Sequence, residues 1–200
     1  MIVIVDYDMG NVGSIHNMLE HIGANSIISS NPSDLETAEK IILPGVGVFD
    51  KAMENLTKRD LIPILNKRVK EDGIPILGIC LGMQLFTQKS EEGQTPGLGW
   101  LDAQTVRFKF DDPSLKVPHM GWNFVTYKDT FPEETPRKYY FVHSYQVVCN
   151  DAEDIWAACQ YGSQVTAAVK KGNMWGVQFH PEKSHKYGVE FFRCFISGDL

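Results

Sequence analysis

The feature that most constrains the fold is a short apolar segment followed by Gly-Ile-Cys-Leu-Gly at residues 78–82. Residues 74–77 predict a buried strand, and residues 83–86 begin a helical run. Two glycines around a cysteine permit the tight strand-to-helix turn called a nucleophile elbow, here with Cys80 in place of serine. The thiol then lies at a helix start, where the N–H of Leu81 can serve as an oxyanion donor. A small buried cysteine gives the same pattern, so the pentapeptide alone leaves both interpretations open.

The rest of the first half alternates short apolar strands with amphipathic helices. Strands are predicted at residues 2–5, 26–29, 40–43 and 74–77. Three helices are predicted. The first is capped by Asn11 and ends at Gly23, the second follows the turn at residues 31–34, and the third contains Leu61, Leu65 and Val69. Continuous apolar strands between helices indicate a parallel sheet that is covered on both faces.

The second half has a different sequence pattern, which predicts strands joined by turns. The predicted strands span residues 100–110, 123–127, 139–148, 155–161, 165–170 and 174–179, and a closing helix spans residues 187–196. Residues 90–93 are interpreted as a loop rather than a linker. We therefore expect one α/β domain over residues 1–200, with an antiparallel or mixed sheet from the second half folded onto the same core.

Composition and charge exclude several classes of protein. The chain has 200 residues, 43% of them hydrophobic, which is the range of an ordinary globular domain. The net charge of −6 disfavours nucleic acid or an anionic membrane as the main partner. The four cysteines form no C-x-x-C pair, so neither a zinc site nor any other metal or organic cofactor is expected. Without a signal peptide or a long apolar stretch, the expected location is the cytoplasm.

A second chemical signal is the sequence Val-Gln-Phe-His-Pro-Glu at residues 177–182. Residues two apart in an extended segment project to the same side, so Glu182 can hydrogen-bond the imidazole of His180 and fix its tautomer. Pro181 biases His180 towards the extended conformation. A turn on the surface could have the same sequence, but together with Cys80 the motif predicts a Cys-His-Glu triad. Both motifs would lie at the carboxyl edge of one sheet, where ligands of such sheets bind.

A third signal is Pro-Gly-Val-Gly-Val at residues 44–48, directly after a predicted strand. Its glycines let backbone N–H groups approach a ligand closely. The third glycine of a dinucleotide-binding loop is missing, because position 50 is Asp50. We interpret the loop, through Val46 and Gly47, as a second source of oxyanion donors opposite Cys80.

These residues together resemble the class I, or triad, glutamine amidotransferases, nearly from end to end of the chain. The motif Gly-Ile-Cys-Leu-Gly-Met-Gln with the distant His-Pro-Glu is specific for this family. Residues 117–123 and 140–145 point, within the family, to the subunit that supplies ammonia to histidine biosynthesis. The implied fold is flavodoxin-like, with a mixed, mostly parallel central sheet flanked by helices and an additional antiparallel sheet.

The resemblance implies hydrolysis of L-glutamine to glutamate and ammonia through a thioester on Cys80. Oxyanion donors would come from Leu81 and the Val46-Gly47 loop, and His180 would protonate the departing ammonia. The residues expected to hold the glutamine are Gly47, Gln84, His143, Ser144 and Tyr145. For Gln84 the sequence adds support of its own, because four residues on from Cys80 is one helical turn.

The resemblance also implies a heterodimer with a (β/α)₈-barrel cyclase that receives the ammonia through a channel. Pro118, His119, Met120 and Trp122 are candidates for this interface, because methionine and aromatic residues are enriched in interfaces. Asn11, Tyr140 and Lys183 are expected near the glutamine pocket, where the partner would cover it. We further expect the loop at residues 44–48 to hold its N–H groups away from the site until the partner binds its own substrate.

Three alternatives remain open at this point. The same glutaminase could serve an enzyme that builds amidino groups on surface sugars, since the acceptor is bound by the partner. A second alternative is a stand-alone cysteine hydrolase of γ-glutamyl peptides, which needs no partner. The third is a silent binding module, against which the intact triad argues.

Overall fold

A computed structural model of the chain describes residues 1–128 and 137–198. Its strands are β1 (Ile2–Val5), β2 (Ser26–Ser29), β3 (Lys40–Leu43), β4 (Ile76–Ile79), β5 (Lys89–Ser90), β6 (Ala103–Arg107), β7 (His119–Tyr127), β8 (Arg137–His143), β9 (Tyr145–Cys149), β10 (Ile155–Tyr161), β11 (Ser163–Lys171) and β12 (Met174–Val177). Its α-helices are α1 (Val12–His21), α2 (Pro32–Glu36), α3 (Phe49–Lys58), α4 (Leu61–Asn66), α5 (Leu81–Gln84) and α6 (His185–Ser197).

The main sheet is mixed and has nine strands in the order β2-β1-β3-β4-β12-β11-β10-β7-β8. The first five of these are parallel, and each pairing beyond β12 is antiparallel. A small second sheet contains β5, β6 and β9. The α/β fold with a large mixed sheet and a second small one is confirmed, but most second-half strands extend the main sheet. They do so because β12 returns beside β4 and gives them an edge to continue.

The apolar sequence of the strands explains the layers. All four residues of β1 are buried, as expected for a strand covered on both faces. Helix α1 buries Ile15 and Leu19 against one face of the sheet, where α6 also packs with Phe191 and Phe195. The other face is covered by α3 and α4, which bury Leu56, Leu61 and Leu65 among other residues. None of the helices within residues 1–128 and 137–198 is long and apolar enough to cross a membrane.

Several predicted boundaries were wrong by a few residues. Strand β4 begins at Ile76 rather than residue 74, because the N–H of Ile74 donates to Arg68 in the preceding turn. Strand β6 is shorter than predicted, since the N–H groups of Trp100 and Leu101 both donate to Phe86. Helix α3 was not predicted, although its buried residues Phe49, Ala52, Met53 and Leu56 have helical spacing. The helix from Leu61 continues as a π-helical turn, Lys67–Glu71. Asn11 does precede α1, but its side chain makes no capping hydrogen bond.

The largest difference concerns residues 139–148, which were predicted to form one strand. They belong to two strands, because the chain leaves the main sheet after β8 and enters the small sheet as β9. Ser144 lies between the two strands, and its carbonyl accepts a hydrogen bond from the N–H of Phe108. This break in the strand brings Ser144 and Tyr145 to the edge of the sheet where β4 and β12 end.

Candidate active site

Cys80 occupies a strained turn between β4 and α5. Its backbone angles are φ 55° and ψ −110°, in a region that L-residues rarely adopt. A Cβ at Gly82 would lie 1.9 Å from the carbonyl oxygen of Leu43, and one at Gly78 would lie 2.7 Å from the nitrogen of Met83. Both positions therefore require glycine, as the elbow interpretation predicts. Strain of this kind at a non-glycine residue is typical of functional sites.

His180 and Glu182 lie side by side at the end of β12. The Nδ1 atom of His180 is 2.8 Å from Oε1 of Glu182, and their side chains are only 2% and 1% exposed. Among the described residues, Nε2 of His180 is buried without a hydrogen-bond partner. This nitrogen is therefore available to a reacting group, while Glu182 orients the ring through Nδ1.

The electrostatics of His180 favour its charged form. Burial lowers the pKa of His180, but the neighbouring Cys80 and Glu182 outweigh this effect and raise the pKa to about 10. These neighbours therefore favour the protonated imidazolium form of the ring. Because the thiolate is the nucleophilic form of cysteine, a charged imidazolium beside Cys80 is the pairing that nucleophilic catalysis by a thiol needs.

The loop after β3 packs directly against the elbow. A Cβ at Gly45 would lie 2.6 Å from the nitrogen of Gly82, so backbone contacts backbone at this point. The carbonyl of Pro44 is held by the buried hydroxyl of Tyr7. Gly47 has φ 129°, which favours glycine, and Val46 is 49% exposed. Val46 and Gly47 line the same cavity as Cys80.

A cavity of about 250 Å³ joins these elements. It is smaller than the roughly 300–1,000 Å³ typical of pockets for drug-sized ligands, which suits a single amino acid. Its wall contains most of the residues that the sequence singled out for catalysis and glutamine binding: Val46, Gly47, Cys80, Leu81, Gln84, His143, Ser144, Tyr145 and His180. Glu182 lies behind His180 rather than in the wall.

Two polar residues of the site were not predicted. Glu92 lines the cavity, and its Oε2 accepts a hydrogen bond of 2.9 Å from the N–H of Phe49. Its pKa is raised, chiefly by partial burial. Gln178 is fully buried behind the cavity, and its Nε2 lies 3.5 Å from Sγ of Cys80. The extended spacing predicted for His180 and Glu182 was wrong, because β12 ends at Val177 and Glu182 lies in a 3-10 helix, Pro181–Lys183.

Gln84 is held from two sides. Its Nε2 donates to the carbonyl of Tyr145 at 3.3 Å and to Oε1 of Gln178 at 3.0 Å. Both of its amide hydrogens therefore have acceptors within the protein, so its Oε1 is the atom that remains for a ligand.

His143 lies in the cavity wall, but its ring nitrogens are engaged elsewhere. Its Nδ1 lies 2.7 Å from the carbonyl of Tyr145, and its Nε2 lies 2.9 Å from Nδ1 of His119. His119 in turn is 3.3 Å from the amide of Asn123. Contrary to the expectation that His143 holds the glutamine, no ring nitrogen remains to bind it. Nor is His119 an interface residue, because it is buried.

The predicted partner-facing residues form one exposed cluster beside the cavity. Trp122 and Tyr140 face each other across β7 and β8, with ring centroids 6.1 Å apart, and Lys183 lies over the ring of Tyr140. Met120 is 62% exposed and Trp122 is 40% exposed. Phe124, which was not predicted, continues the same face at 56% exposure. Pro118 lines the cavity, and Asn11 is half-buried at the start of α1.

A larger groove of about 680 Å³ lies on the antiparallel end of the main sheet, between β7 and β10. It contains none of the triad residues and no pair of acid and base, and Lys128 is the charged residue in its wall. We therefore place the chemistry in the smaller cavity, where a nucleophile, a charged imidazole and a buried carboxylate meet.

Comparisons with known proteins agree with this geometry. The model of the family "Glutamine amidotransferase class-I" matches residues 3–196. The imidazole glycerol phosphate synthase subunit HisH 2 of Methanococcus maripaludis is 50% identical, with 98% of each chain covered. The subunit of the same name from Pseudomonas aeruginosa is 47% identical over 98% of each chain, and HisH of Thermosynechococcus vestitus is 43% identical over 98% and 96%.

Solved structures give the same fold at low sequence identity. A structure titled as a glutamine amidotransferase has a TM-score of 0.78 at 18% identity and covers 98% of both chains. The structure of PurLQS from Thermotoga maritima has a TM-score of 0.71 at 20% identity and covers 98% of this chain and 97% of its own. With the family model matching nearly the whole chain, this chain belongs to the class I glutamine amidotransferase family.

Proposed function

We propose that this chain is the glutaminase subunit of an imidazole glycerol phosphate synthase and supplies ammonia for histidine biosynthesis. The observation that carries the proposal is Cys80 on a glycine-flanked elbow beside the buried His180–Glu182 pair, in a cavity of amino-acid size. The names of relatives up to 50% identical over 98% of this chain support the pathway. We also propose that the whole chain forms one domain, since the family model spans residues 3–196.

The first step forms a covalent bond to the substrate. The thiolate of Cys80 attacks the side-chain amide carbon of glutamine, and the π electrons of the carbonyl move to its oxygen. The resulting oxyanion accepts hydrogen bonds from the N–H of Leu81, which as the first residue of α5 has no intrahelical acceptor, and from the loop at Val46 and Gly47.

The second step releases ammonia. The imidazolium of His180 transfers the proton on Nε2 to the amide nitrogen, the C–N bond breaks, and a γ-glutamyl thioester remains on Cys80. His180, now neutral, takes a proton from water, whose oxygen attacks the thioester carbon. The C–S bond then breaks, glutamate is released, and the thiolate of Cys80 and the imidazolium of His180 are restored. Glu182 keeps the ring oriented and stabilises its charged form throughout.

The cavity also offers groups for the two ends of the amino acid. We propose that Oε1 of Gln84 and the carboxylate of Glu92 accept hydrogen bonds from the amino group of the substrate. We propose that Ser144 and Tyr145, which line the cavity at the break between β8 and β9, hold its carboxylate. Acceptors on one side and donors on the other are what a zwitterionic amino acid requires.

Ammonia released into water would be protonated and lost as a nucleophile. We therefore propose that a (β/α)₈-barrel cyclase subunit docks over the cavity and receives the ammonia. The exposed face of Met120, Trp122 and Phe124 is suited to this contact, because methionine and aromatic residues are enriched in interfaces. Tyr140 and Lys183 border that face, and Asn11 lies near the loop, since a Cβ at Gly10 would lie 2.9 Å from Pro44.

The experiment measures glutamate formed from glutamine by this chain alone, with the cyclase subunit, and with the cyclase and its nucleotide ligand. We expect the highest rate in the complete mixture, which would also support gating of the loop at residues 44–48 by the partner. A Cys80→Ala variant that is as active as the parent would show that the nucleophile is wrong. Equal rates with and without the partner would contradict the gating.

A second candidate keeps the glutaminase and changes the acceptor to an amidino-sugar synthase. It is favoured by one observation: the names of both the Methanococcus and the Pseudomonas relatives carry the number 2, which distinguishes them from another HisH. A glutaminase that is stimulated by a sugar-modifying partner but not by the histidine-pathway cyclase would support this candidate. Neighbouring genes for sugar nucleotides would point the same way.

A further inference from the structure

Gln178 is a buried polar residue that directly follows β12, which ends at Val177. Its side chain is fully buried between the end of β12 and the elbow. Its backbone N–H donates to the carbonyl of Ala167 at 2.9 Å, so the main chain is fixed in the sheet. Burying a primary amide costs free energy unless each polar atom finds a partner. We therefore expect the amide of Gln178 to have hydrogen-bond partners within the protein.

Both ends of the Gln178 amide contact groups of the active site. Its Nε2 lies 3.5 Å from Sγ of Cys80, and its Oε1 accepts a hydrogen bond of 3.0 Å from Nε2 of Gln84. Gln84 also donates to the carbonyl of Tyr145, which His143 contacts at 2.7 Å from the other side. One buried side chain thus links the nucleophile to a residue that lines the substrate cavity.

The direction of these bonds fits a thiolate. Oε1 of Gln178 is occupied as an acceptor, so its Nε2 faces the sulfur as a donor. A donor beside sulfur stabilises the charged form, because hydrogen bonds to ionised acceptors are about twice as strong as neutral ones. His180 follows two residues later in the chain. Gln178 contacts the sulfur, and His180 lines the same cavity as Cys80.

We propose that Gln178 is a catalytic residue that hydrogen-bonds the resting thiolate of Cys80 and, through Gln84, fixes the substrate cavity around it. When the S–C bond forms, the negative charge moves from sulfur to the carbonyl oxygen, and the hydrogen bond from Gln178 weakens. When the thioester is hydrolysed and the C–S bond breaks, the bond to the thiolate is restored. Gln178 gives up no proton in this cycle.

The test measures alkylation of Cys80 by iodoacetamide as a function of pH, followed by mass spectrometry of the peptide that contains Cys80. In this reaction the S–C bond forms and iodide leaves, so glutamine and the partner are not needed. Gln178→Met keeps the volume and removes the donor. Gln178→Glu keeps an acceptor for Gln84 and places a carboxylate beside the sulfur. Gln164→Met, at an exposed position on β11, is the matched control.

We expect Gln178→Met to move the inflection of the alkylation profile upward by about one pH unit, which is the worth of one hydrogen bond to a charged group. Gln178→Glu moves it at least as far, and Gln164→Met leaves it unchanged. In the glutaminase assay Gln178→Met also raises KM, because Gln84 loses one of its two anchors. A purely structural role would lower the melting temperature and leave the profile where it was.

The proposal is overturned if folded Gln178→Met gives the alkylation profile of the parent. If Gln178→Met does not fold, Gln178→Leu, which also removes the donor and adds no charge, decides in the same way. The inference rests on the proposed glutaminase site, but the two can fail separately. A shifted profile without glutamate production would leave the role of Gln178 intact and contradict the function, and glutaminase activity with an unshifted profile would do the reverse.

Discussion

The backbone N–H of Cys80 donates a hydrogen bond of 2.7 Å to the carbonyl of Val177. This bond continues the parallel pairing of β4 and β12 by one residue, to the point where both strands end. The elbow and the segment that contains His180 are therefore aligned by the sheet itself. A catalytic pair that lies 100 residues apart in sequence is positioned by the register of two neighbouring strands.

The strain at Cys80 predicts a trade between stability and activity. Its φ of 55° and ψ of −110° suit glycine, and such strain costs about 1–3 kcal/mol. We expect Cys80→Gly and Cys80→Ala both to abolish glutaminase activity, with Cys80→Gly more stable than Cys80→Ala by about 1 kcal/mol. Urea unfolding of the two variants measures the difference. Equal stability would mean that the elbow stores no strain.

The close approach of α5 to β3 predicts that Gly82 cannot be replaced. A Cβ there would lie 1.9 Å from the carbonyl oxygen of Leu43, which is backbone and cannot rotate away. We expect Gly82→Ala to lower the free energy of unfolding by at least about 3 kcal/mol. Gly13→Ala is the matched control, because it lies in α1 with nothing within 4 Å of the added carbon. That variant should gain up to about 1 kcal/mol, and similar losses in both would contradict the packing.

The sequence predicted the elements that have strong local signals. The elbow was recognised because Gly78 and Gly82 are required by contacts that local spacing reflects, and β10 was predicted with both of its boundaries. The break at Ser144 was missed, because its cause is the pairing of β9 with β6, which lies far away in sequence. Glu92 was missed for the same reason, since its contact with Phe49 is set by tertiary structure.

The ionisation of His180 predicts how the glutaminase activity falls at alkaline pH. Cys80 and Glu182 hold its pKa at about 10 against the effect of burial, and the charged form is needed to protonate the leaving ammonia. We expect kcat to fall as the pH rises towards 10. Glu182→Gln removes one of the charges that raise this pKa, so the activity of this variant should begin to fall at a lower pH. Its kcat should also be about 10²–10⁴-fold lower than that of the parent. A fall at the same pH in Glu182→Gln would contradict the pairing.

The same shift has a consequence for stability. Because the pKa of His180 in the folded chain lies above the ordinary value of 6.5, its protonation stabilises the fold. This contribution is fully present below pH 6.5 and is lost as the pH rises through about 10. Chemical unfolding of the parent and of His180→Gln between pH 6.5 and 10 measures it. The difference between the two proteins should shrink as the pH rises.

The buried pair of His119 and His143 predicts the opposite dependence at acid pH. Burial lowers the pKa of His119 to about 4 and that of His143 to about 3. Their contribution is present above pH 6.5 and is lost as the pH falls towards 4, because only the unfolded chain takes up the protons. We expect NMR of the two imidazoles to show neutral rings at pH 5. An inflection above pH 6 for either ring would contradict the hydrogen-bonded chain from Asn123 to Tyr145.

The exposed face of β7 predicts where the partner binds. Met120 is 62% exposed, and side chains two residues apart on this strand share one face with it. We expect Met120→Asp to weaken binding of the cyclase subunit at least about tenfold, because a charge would be buried in the contact. Alkylation of Cys80 in the isolated chain should not change, since Met120 does not line the cavity. The matched control is Ile28→Asp, at a 38% exposed residue on β2, the opposite edge of the main sheet. Titration calorimetry distinguishes the outcomes: a loss confined to Met120→Asp locates the interface on β7, whereas equal binding by both variants places it elsewhere on the molecule.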